Sequence, residues 1–310
     1  MILSVIIPSY QHSEYVISCL AAAIEIPVLE KEIIVIDDGS SDGSFNLIQQ
    51  WVALQPNCDC FKLIQHENRG LVRVLNEGLA IAKGKYIYFV ASDDIPNGDG
   101  IEKLLMELQK NQRVQFAIGN AKAFLTEGGN NKEWMTYGDA HQRFFDLPSI
   151  KRNSEIFLNY PVPLLLQTTL FRREILENIG GWDEKLRWDD YPTFVKILNA
   201  CPQINVDFIY SSNICMVDYR QHQNNTYRDI QKQVNMIIQA LEILCPTSIK
   251  NKAISKIYVR FSFSAIRKLK FKMAINFLKQ SLVVSNLKIT VSEIILIFVQ
   301  LVKNRLNWHK

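Results

Sequence analysis

The chain has 310 residues, of which 48% are hydrophobic and 21% are charged, and such a chain can bury a full core, which excludes an intrinsically disordered protein. The net charge of +4 hides an asymmetry: residues 245–310 carry thirteen Lys and Arg and one acid, whereas residues 1–244 carry 22 bases and 30 acids. This difference predicts two surfaces with different partners, the basic one facing an anionic membrane or a nucleic acid.

The N-terminal residues predict a strand and no export signal. The stretch "MILSVIIPSY" passes from an apolar run into Pro8 without a preceding basic region, unlike a secretory signal peptide. The six cysteines show neither CxxC pairs nor zinc-finger spacing, which is typical of reduced thiols. We therefore expect a cytoplasmic protein, and the basic C-terminal residues add the expectation of a peripheral position at the inner face of the membrane.

Five short apolar runs alternate with helix-period segments along the first half of the chain: "LSVIIP", "EIIVID", "FKLIQ", "YIYFV" and "VQFAIG". This alternation predicts an α/β fold with a mostly parallel sheet flanked by helices. Within it, Glu77–Lys83 is predicted to be helical with Gly84 as its C-cap, and the polar residues 126–142 are predicted to form a surface excursion.

The pattern becomes purely helical from about Ile230, which predicts two domains, one over residues 1–228 and a basic, all-helical C-terminal extension over residues 229–310. The apolar segment Ile289–Leu306 is interrupted by Glu293 and other polar residues. It is too polar to span a bilayer, and we expect it to lie on one.

Polar residues follow the ends of the predicted strands, and in an open α/β sheet ligands bind at the carboxyl ends of parallel strands. A solvated turn explains each group alone, but not the collection of carboxylates on one edge. The chain has no GxGxxG, P-loop or HExxH motif. The carboxylates suit a hard divalent cation, Mg²⁺ or Mn²⁺, completed by substrate phosphates. The polar strand ends are Pro8–Tyr10, Asp37–Asp42, His66–Gly70 and Ser92–Asp94, and the cation would neutralise Asp93 and Asp94.

Four stretches in chain order resemble the motifs of family 2 glycosyltransferases, the inverting enzymes with a GT-A (Rossmann-like) fold. They are "SVIIPSY", "EIIVIDDGSSDGS", "HENRGLVRVLNEGLAIAKGKYIYFVASDD" and "RREILENIGGWDEKLRWDDYPTFVKI", and the likeness covers roughly the first 225 residues. The resemblance implies metal-dependent transfer of a sugar from a nucleotide-diphosphate donor to a hydroxyl acceptor. The acceptor would be a saccharide or a lipid-linked saccharide in cell-surface polysaccharide or glycolipid synthesis.

The resemblance also implies roles for single residues. Asp93 and Asp94 stand for the metal and diphosphate motif, and His222 in "YRQHQNNT" reaches the metal or the diphosphate. Many members have Asp where this chain has Ala91, so the metal set is thinner and weak metal affinity is expected. The nucleotide-sugar pocket would be lined by Pro8, Ser9, Tyr10, Asp37, Asp38, Arg69 and Asp93.

Inversion requires a base on the acceptor side, away from the cation that stabilises the leaving diphosphate. Asp189 and Asp190 follow the first acidic pair by about a hundred residues, and Asp190 matches the position of the base in similar enzymes. Helix capping is an equal alternative for Asp189. Gln167 and Thr168 could face the acceptor or the core, and Trp182 could wall the acceptor pocket or be a buried aromatic.

Three alternatives remain at this stage. A binding or scaffold protein that lost turnover is suggested only by Ala91. A sugar nucleotidyltransferase would need a Gly-rich basic loop near the first strand, and "PSYQHSEY" is not one. Nucleic-acid binding by the basic extension is disfavoured, because its aromatic residues have helical spacing and predict a core; these are Tyr258, Phe261, Phe263 and Phe271.

Overall fold

The structure is a computed structural model, and it describes residues 1–125, 132–160, 163–186, 188–222 and 229–307, with side chains up to residue 299. The chain divides into two compact units: Met1–Asn153 with Pro161–His222, and Ser154–Tyr160 with Gln223–Lys310. The domain boundary predicted between residues 228 and 229 adjoins residues 223–228, which lie outside the described residues, and it stays a prediction.

The strands are β1 Leu3–Ser9, β2 Lys31–Asp37, β3 Phe61–Gln65, β4 Tyr86–Phe89, β5 Ile95–Pro96, β6 Phe116–Leu125, β7 Glu133–Met135, β8 Thr169–Arg172 and β9 Phe208–Gln221. The helices are α1 Val16–Ile24, α2 Ser44–Ala53, α3 Leu71–Ile81, α4 Gly98–Lys110, α5 Asp139–Phe145, α6 Ser149–Leu158, α7 Arg173–Asn178, α8 Asp190–Ala200, α9 Ile230–Leu244, α10 Thr247–Arg267, α11 Phe271–Val284 and α12 Leu287–Asn307. One-turn 3₁₀ helices lie at Cys58–Cys60 and Leu166–Thr168.

The strands form one nine-stranded sheet in the order β3-β2-β1-β4-β8-β6-β9-β5, with β7 beside β6. All five apolar runs are strands, and β3, β2, β1 and β4 pair in parallel as predicted. The remainder of the sheet is mixed, because β8 runs antiparallel to both β4 and β6 while β6 and β9 are parallel. The α/β fold is confirmed, with a parallel half and a mixed half.

The parallel half is apolar because both of its faces are covered. Every residue of β4 is buried, as is nearly every residue of β1 and β2. Helix α3 packs on this half through Gly78, where an added Cβ would lie 2.5 Å from the Ile6 side chain. Glycine at this position therefore sets how closely the helix approaches the sheet.

The predicted end of helix α3 is wrong. The helix is Leu71–Ile81, and Ala82 after it is already extended. Gly84 is not a left-handed cap; an added Cβ there would lie 2.4 Å from the backbone nitrogen of Ser4, and its N–H donates to Ser4 Oγ at 2.8 Å. The glycine is required by the close approach of two backbone segments.

The predicted surface excursion at 126–142 is only partly described, because residues 126–131 lie outside the described residues. In the remainder, the exposed strand β7 pairs with β6 and helix α5 begins at Asp139. The six cysteines are free, as their spacing predicts.

The second unit contains helices α9 to α12 and confirms the helical extension. Its small apolar core is formed by Ile230, Val234 and Phe277. Polar contacts join the later helices: Ser281 Oγ lies 2.7 Å from Ser255 Oγ and 3.0 Å from Thr290 Oγ1. A search of the described helices for a segment with the length and hydropathy of a membrane span gives no candidate.

Candidate active site

The carboxyl ends of β1, β2 and β3 meet at one rim. The parallel register pairs Ser9 with Asp37 and Asp37 with Gln65. Asp37 Oδ1 accepts hydrogen bonds from the Ser40 N–H at 2.9 Å and from Gln65 Nε2 at 3.3 Å. Asp37 Oδ2 and Ser9 Oγ are buried and have no hydrogen-bond partner among the described residues. Because burying such groups unpaired is costly, these two atoms mark a place where a ligand could bind.

Asp38 organises the connection between β3 and α3. Its Oδ1 accepts from the Arg69 N–H at 2.7 Å, and its Oδ2 accepts from the Gly70 N–H at 2.8 Å. Gly70 has a φ of 87°, a left-handed conformation that favours glycine. The Arg69 side chain pairs with Glu77. Asp38 and Arg69 are therefore neighbours, as the sequence predicts, and the Asp38 carboxylate holds the backbone of this loop.

Pro8 and Tyr10 lie at the same rim. Pro8 is the half-buried penultimate residue of β1, and Tyr10, directly after the strand, is 47% exposed. Exposure of a large aromatic ring beside the strand ends leaves it accessible to a planar ligand.

Three potential metal ligands lie together at the end of β4. Among the described residues, the ligand atoms of His12, Asp93 and His222 all lie within 4.8 Å of one another. His222 Nε2 is 2.9 Å from Asp93 Oδ2, and His12 Nε2 is 3.8 Å from the same oxygen. Burial lowers the pKa of His12 against the opposing effect of Asp93, and the neutral imidazole is the form that binds a metal.

Asp94 is buried beside this group, and both of its oxygens already accept hydrogen bonds. Oδ1 accepts from the Arg220 N–H at 2.8 Å, and Oδ2 accepts from Gln167 Nε2 at 3.0 Å. Burial, followed by the charge of Asp93, raises the pKa of Asp94 well above its ordinary value. Each Asp94 oxygen keeps a lone pair beyond its one hydrogen bond, and the role of Asp94 as a metal ligand stays a prediction.

Asp190 begins helix α8, and its Oδ1 accepts from the Leu166 N–H at 2.6 Å. Burial, followed by the charge of Asp189, raises the pKa of Asp190 well above the ordinary value. Because Gln167 contacts Asp94, the single 3₁₀ turn Leu166–Thr168 links the two acidic sites through consecutive residues. The turn therefore contacts both carboxylates, and the Asp94 charge is also among the causes that raise the pKa of Asp190.

The capping alternative for Asp189 is wrong as a side-chain contact. Asp189 occupies the N-cap position of α8, but its side chain makes no capping hydrogen bond. Trp182 is 5% exposed and packs edge to face on Phe89 with ring centroids 4.9 Å apart, which confirms the interpretation of a buried aromatic residue.

Comparisons with known proteins identify the family and agree with the fold. Residues 4–180 match the family described as glycosyl transferase family 2. The chain belongs to this family.

Relatives of the family 2 chain include glycosyltransferase GlyG of Streptococcus pneumoniae serotype 4, 31% identical over 193 residues that cover 59% of this chain and 62% of GlyG. Poly-beta-1,6-N-acetyl-D-glucosamine synthase of Staphylococcus epidermidis is 26% identical over 189 residues, covering 61% of this chain and 43% of the synthase. The chain thus spans less than two thirds of the length of these relatives.

Solved structures with the same fold include S. aureus TarS residues 1–349 in complex with UDP-GlcNAc, with a TM-score of 0.61, 18% identity, and coverage of 93% of this chain and 83% of that chain. Mannosyltransferase PcManGT from Pyrobaculum calidifontis, in complex with GDP-Man and Mn²⁺, gives a TM-score of 0.59, 15% identity, and coverage of 99% and 82%. These similarities show the GT-A fold that the family resemblance implies.

His12 is the residue of this family 2 site that sequence reasoning missed. It lies in the loop after β1, 80 residues before Ser92, whose hydroxyl is 2.8 Å from His12 Nδ1. The clue available was its position three residues after a strand end, since β1 and β4 are neighbours in the sheet. The contacts of Arg220 were not predicted either: its backbone N–H donates to Asp94 Oδ1, and its guanidinium donates to the Asp93 carbonyl.

Proposed function

We propose that this family 2 protein is an inverting glycosyltransferase that moves a sugar from a nucleotide-diphosphate donor to a hydroxyl acceptor in cell-surface polysaccharide or glycolipid synthesis. The observation that carries the proposal is the pair of acidic sites, Asp93 with His222 and Asp190, which the turn Leu166–Thr168 connects through the Leu166 N–H on Asp190 and the Gln167 amide on Asp94. The nucleotide sugars in the solved neighbours and the synthase among the relatives support this donor and product class.

The donor occupies the rim of the sheet. The orphaned Ser9 Oγ and Asp37 Oδ2 gain partners from the nucleoside, and Tyr10 offers its exposed ring. Asp38 keeps the loop carrying Arg69 in place. The carboxylate of Asp93 and the imidazole of His222 suit a divalent cation, Mg²⁺ or Mn²⁺. The family resemblance implies Asp94 as a further ligand. When bound, the cation stabilises the charge of the departing diphosphate.

The acceptor hydroxyl lies beside Asp190, whose carboxylate takes its proton as the hydroxyl attacks the anomeric carbon. A raised pKa makes this carboxylate a stronger base than an exposed aspartate, and burial is the first cause of that rise. The base must be ionised, so transfer increases as the pH rises through the pKa of Asp190.

A screen of sugar nucleotides tests the proposal directly. Thermal stabilisation and donor hydrolysis are measured with and without Mg²⁺ or Mn²⁺, using intact protein and Asp93→Asn. We expect one donor class to stabilise the intact protein in a metal-dependent way and the variant to lose this dependence. Stabilisation without any hydrolysis or transfer would favour the scaffold alternative, and no response to any donor would refute the function.

We further propose that helices α10 to α12 dock on an anionic membrane surface, where a lipid-linked acceptor would be presented. The packing of α12 is inverted relative to a helix in water: Thr290 and Glu293 are buried, and Glu293 lies 3.2 Å from Lys256. Its exposed side is apolar, with Leu287, Val291, Ile295, Leu296, Phe298 and Val299 each 42–66% exposed. An exposed apolar face of this size indicates a partner surface.

The turn between α10 and α11 alternates exposed cationic and apolar side chains. Leu269 at its tip is 75% exposed and has a φ of 58°, a conformation that costs a leucine roughly 1–2 kcal/mol. The cations are Arg267, Lys268, Lys270 and Lys272, all exposed. Because Glu293 is the one acid after residue 245 and is buried, the described surface of α10 to α12 presents no carboxylate. Each cation near an anionic bilayer contributes about 1 kcal/mol.

Vesicle co-sedimentation tests this surface. We expect full-length protein to bind vesicles rich in phosphatidylglycerol at low salt, to release at high salt, and to ignore phosphatidylcholine vesicles. The double variant Leu269→Ser and Phe271→Ser should weaken binding, whereas Leu29→Ser, which changes a fully exposed leucine of the first unit, should not. Protein that stays unbound at low salt, or that prefers duplex DNA to vesicles, would refute membrane docking.

A further inference from the structure

We propose that His12, in place of Asp94, is the third protein ligand of the divalent cation beside Asp93 and His222, and that the resulting set of two imidazoles and one carboxylate selects a first-row transition metal such as Mn²⁺ over Mg²⁺. This inference rests on the proposed function, because it concerns the cation that assists donor cleavage. It goes further by naming a ligand outside the acidic motif and by choosing between the two metals.

The chain topology brings the three ligands together. His12 follows β1, Asp93 follows β4, and these strands are parallel neighbours, while His222 follows β9. Ligands at about 2.1 Å from one ion lie within about 4.3 Å of each other, and the three ligand atoms here already lie within 4.8 Å. The ligand atoms therefore need to move by under about 1 Å to reach these distances, and the hydrogen bond between His222 Nε2 and Asp93 Oδ2 would give way to the ion.

The imidazole of His12 is oriented for this role by a buried hydroxyl. His12 Nδ1 is 2.8 Å from Oγ of Ser92, which is fully buried. With Nδ1–H donating to that oxygen, Nε2 carries the lone pair and faces Asp93 Oδ2. Such an outer hydrogen bond fixes the tautomer and the ring plane of a metal-binding histidine.

Tyr15 holds both imidazole rings. It stacks on His222 with ring centroids 5.1 Å apart and meets His12 edge to face at 6.1 Å. The two rings are therefore packed against a common aromatic surface, so ligand binding requires little ordering of either side chain.

The donor atoms determine the metal. Mg²⁺ prefers oxygen ligands and keeps several waters, whereas imidazole suits the first-row transition metals, whose affinities rise from Mn²⁺ to Co²⁺ and Ni²⁺. The competing arrangement uses the carboxylates of Asp93 and Asp94. It would favour Mg²⁺, and because each Asp94 oxygen accepts only one hydrogen bond, from Arg220 or from Gln167, the measured ratio of Mn²⁺ to Mg²⁺ affinity is what distinguishes the two arrangements.

Metal binding is measured on full-length protein without nucleotide, by the Mn²⁺ electron paramagnetic resonance signal, by Co²⁺ absorption and by Mg²⁺ competition. We expect Mn²⁺ to bind at least about tenfold more tightly than Mg²⁺, and Co²⁺ more tightly still. His12→Ala should weaken Mn²⁺ and Co²⁺ binding by more than about tenfold and change the Co²⁺ spectrum. Ser92→Ala should weaken the binding of both metals by about tenfold.

Two further variants sharpen the test. His12→Asp replaces the nitrogen ligand by an oxygen ligand and should lower the ratio of Mn²⁺ affinity to Mg²⁺ affinity. His66→Ala removes a histidine outside the group and should leave the metal affinities of the intact protein unchanged. Unchanged Mn²⁺ and Co²⁺ binding in His12→Ala, or Mg²⁺ binding as tightly as Mn²⁺, would overturn the inference. If Asp93→Asn then still abolished metal-dependent donor hydrolysis, the inference would fail while the proposed function stood.

Discussion

The substitution Asp190→Asn separates the chemistry of transfer from folding. Asparagine keeps the size of the side chain and an oxygen that accepts from the Leu166 N–H, which lies 2.6 Å away, but its amide cannot take the proton of the acceptor hydroxyl. Transfer should fall by about 10²-fold to 10⁴-fold, which is roughly 2.7–5.4 kcal/mol of transition-state stabilisation. Donor affinity should be unchanged, because the base acts on the acceptor.

The same substitution should raise stability. Burial, and then Asp189, raise the pKa of Asp190 in the folded protein, so the folded state holds this proton more tightly than the unfolded state does. Stability therefore falls as the pH rises above about 4, the ordinary range of an aspartate. Asp190→Asn should melt at a higher temperature than the intact protein at pH 7–8, and the difference should shrink below about pH 4.

The assay is release of nucleoside diphosphate and formation of product with a true acceptor, at saturating donor. Asp189→Asn is the matched comparison: it leaves the Asp190 carboxylate in place and removes only a charge that raises the pKa of Asp190, so transfer should fall far less than in Asp190→Asn and its pH dependence should shift to lower pH. Near-normal transfer by Asp190→Asn would refute the reasoning and leave Asp183 or Glu184 as the next candidate base, although Glu184 is paired with Arg73 at 2.9 Å.

Three other substitutions test the supports of the site. Gly84→Ala should lower the free energy of unfolding by roughly 1–3 kcal/mol, measured in urea, because its Cβ would meet the backbone of Ser4 at 2.4 Å; full stability would contradict the close approach. Gln167→Leu removes the donor to Asp94 Oδ2 and should cost about 1–3 kcal/mol, which equal urea midpoints would disprove. Asp38→Asn turns one of two acceptors into a donor that must face the Arg69 or the Gly70 N–H, so amide exchange should accelerate at one of these two residues; unchanged protection at both would argue against this role of the carboxylate.

The apolar runs were sufficient to predict the parallel half of the sheet. Strands β1, β2 and β4 are buried on both faces, so β1 and β2 are rich in Val and Ile and β4 consists of one Ile and three aromatic residues. The mixed half was harder to predict, because β9 is a 14-residue strand of mixed burial. Its many polar residues give no apolar pattern from which its neighbours in the sheet could be inferred. Its parallel pairing with β6 and the register shifts between them depend on contacts distant in sequence.

The acidic residues of the candidate site and the histidine beside Asp93 were visible in the sequence, but the backbone donors were not. The resemblance selected Asp93, Asp94, Asp190 and His222, whereas Asp94 and Asp190 accept hydrogen bonds from the backbone N–H groups of Arg220 and Leu166. A backbone N–H has no letter in the sequence. The raised pKa of Asp190 likewise follows from burial, which no motif encodes.

The turn Leu166–Thr168 sets the spacing between two carboxylates of the candidate site, Asp94 and Asp190. On the proposed roles, neighbouring residues of one helical turn hold the carboxylate beside the leaving group and the carboxylate that receives the proton. Evolution or an engineer can therefore remodel the loops that choose the acceptor without altering the distance over which the sugar travels. Inserting one residue into this turn would have the opposite effect: the choice of substrates would be preserved, but Asp94 and Asp190 would no longer be correctly spaced.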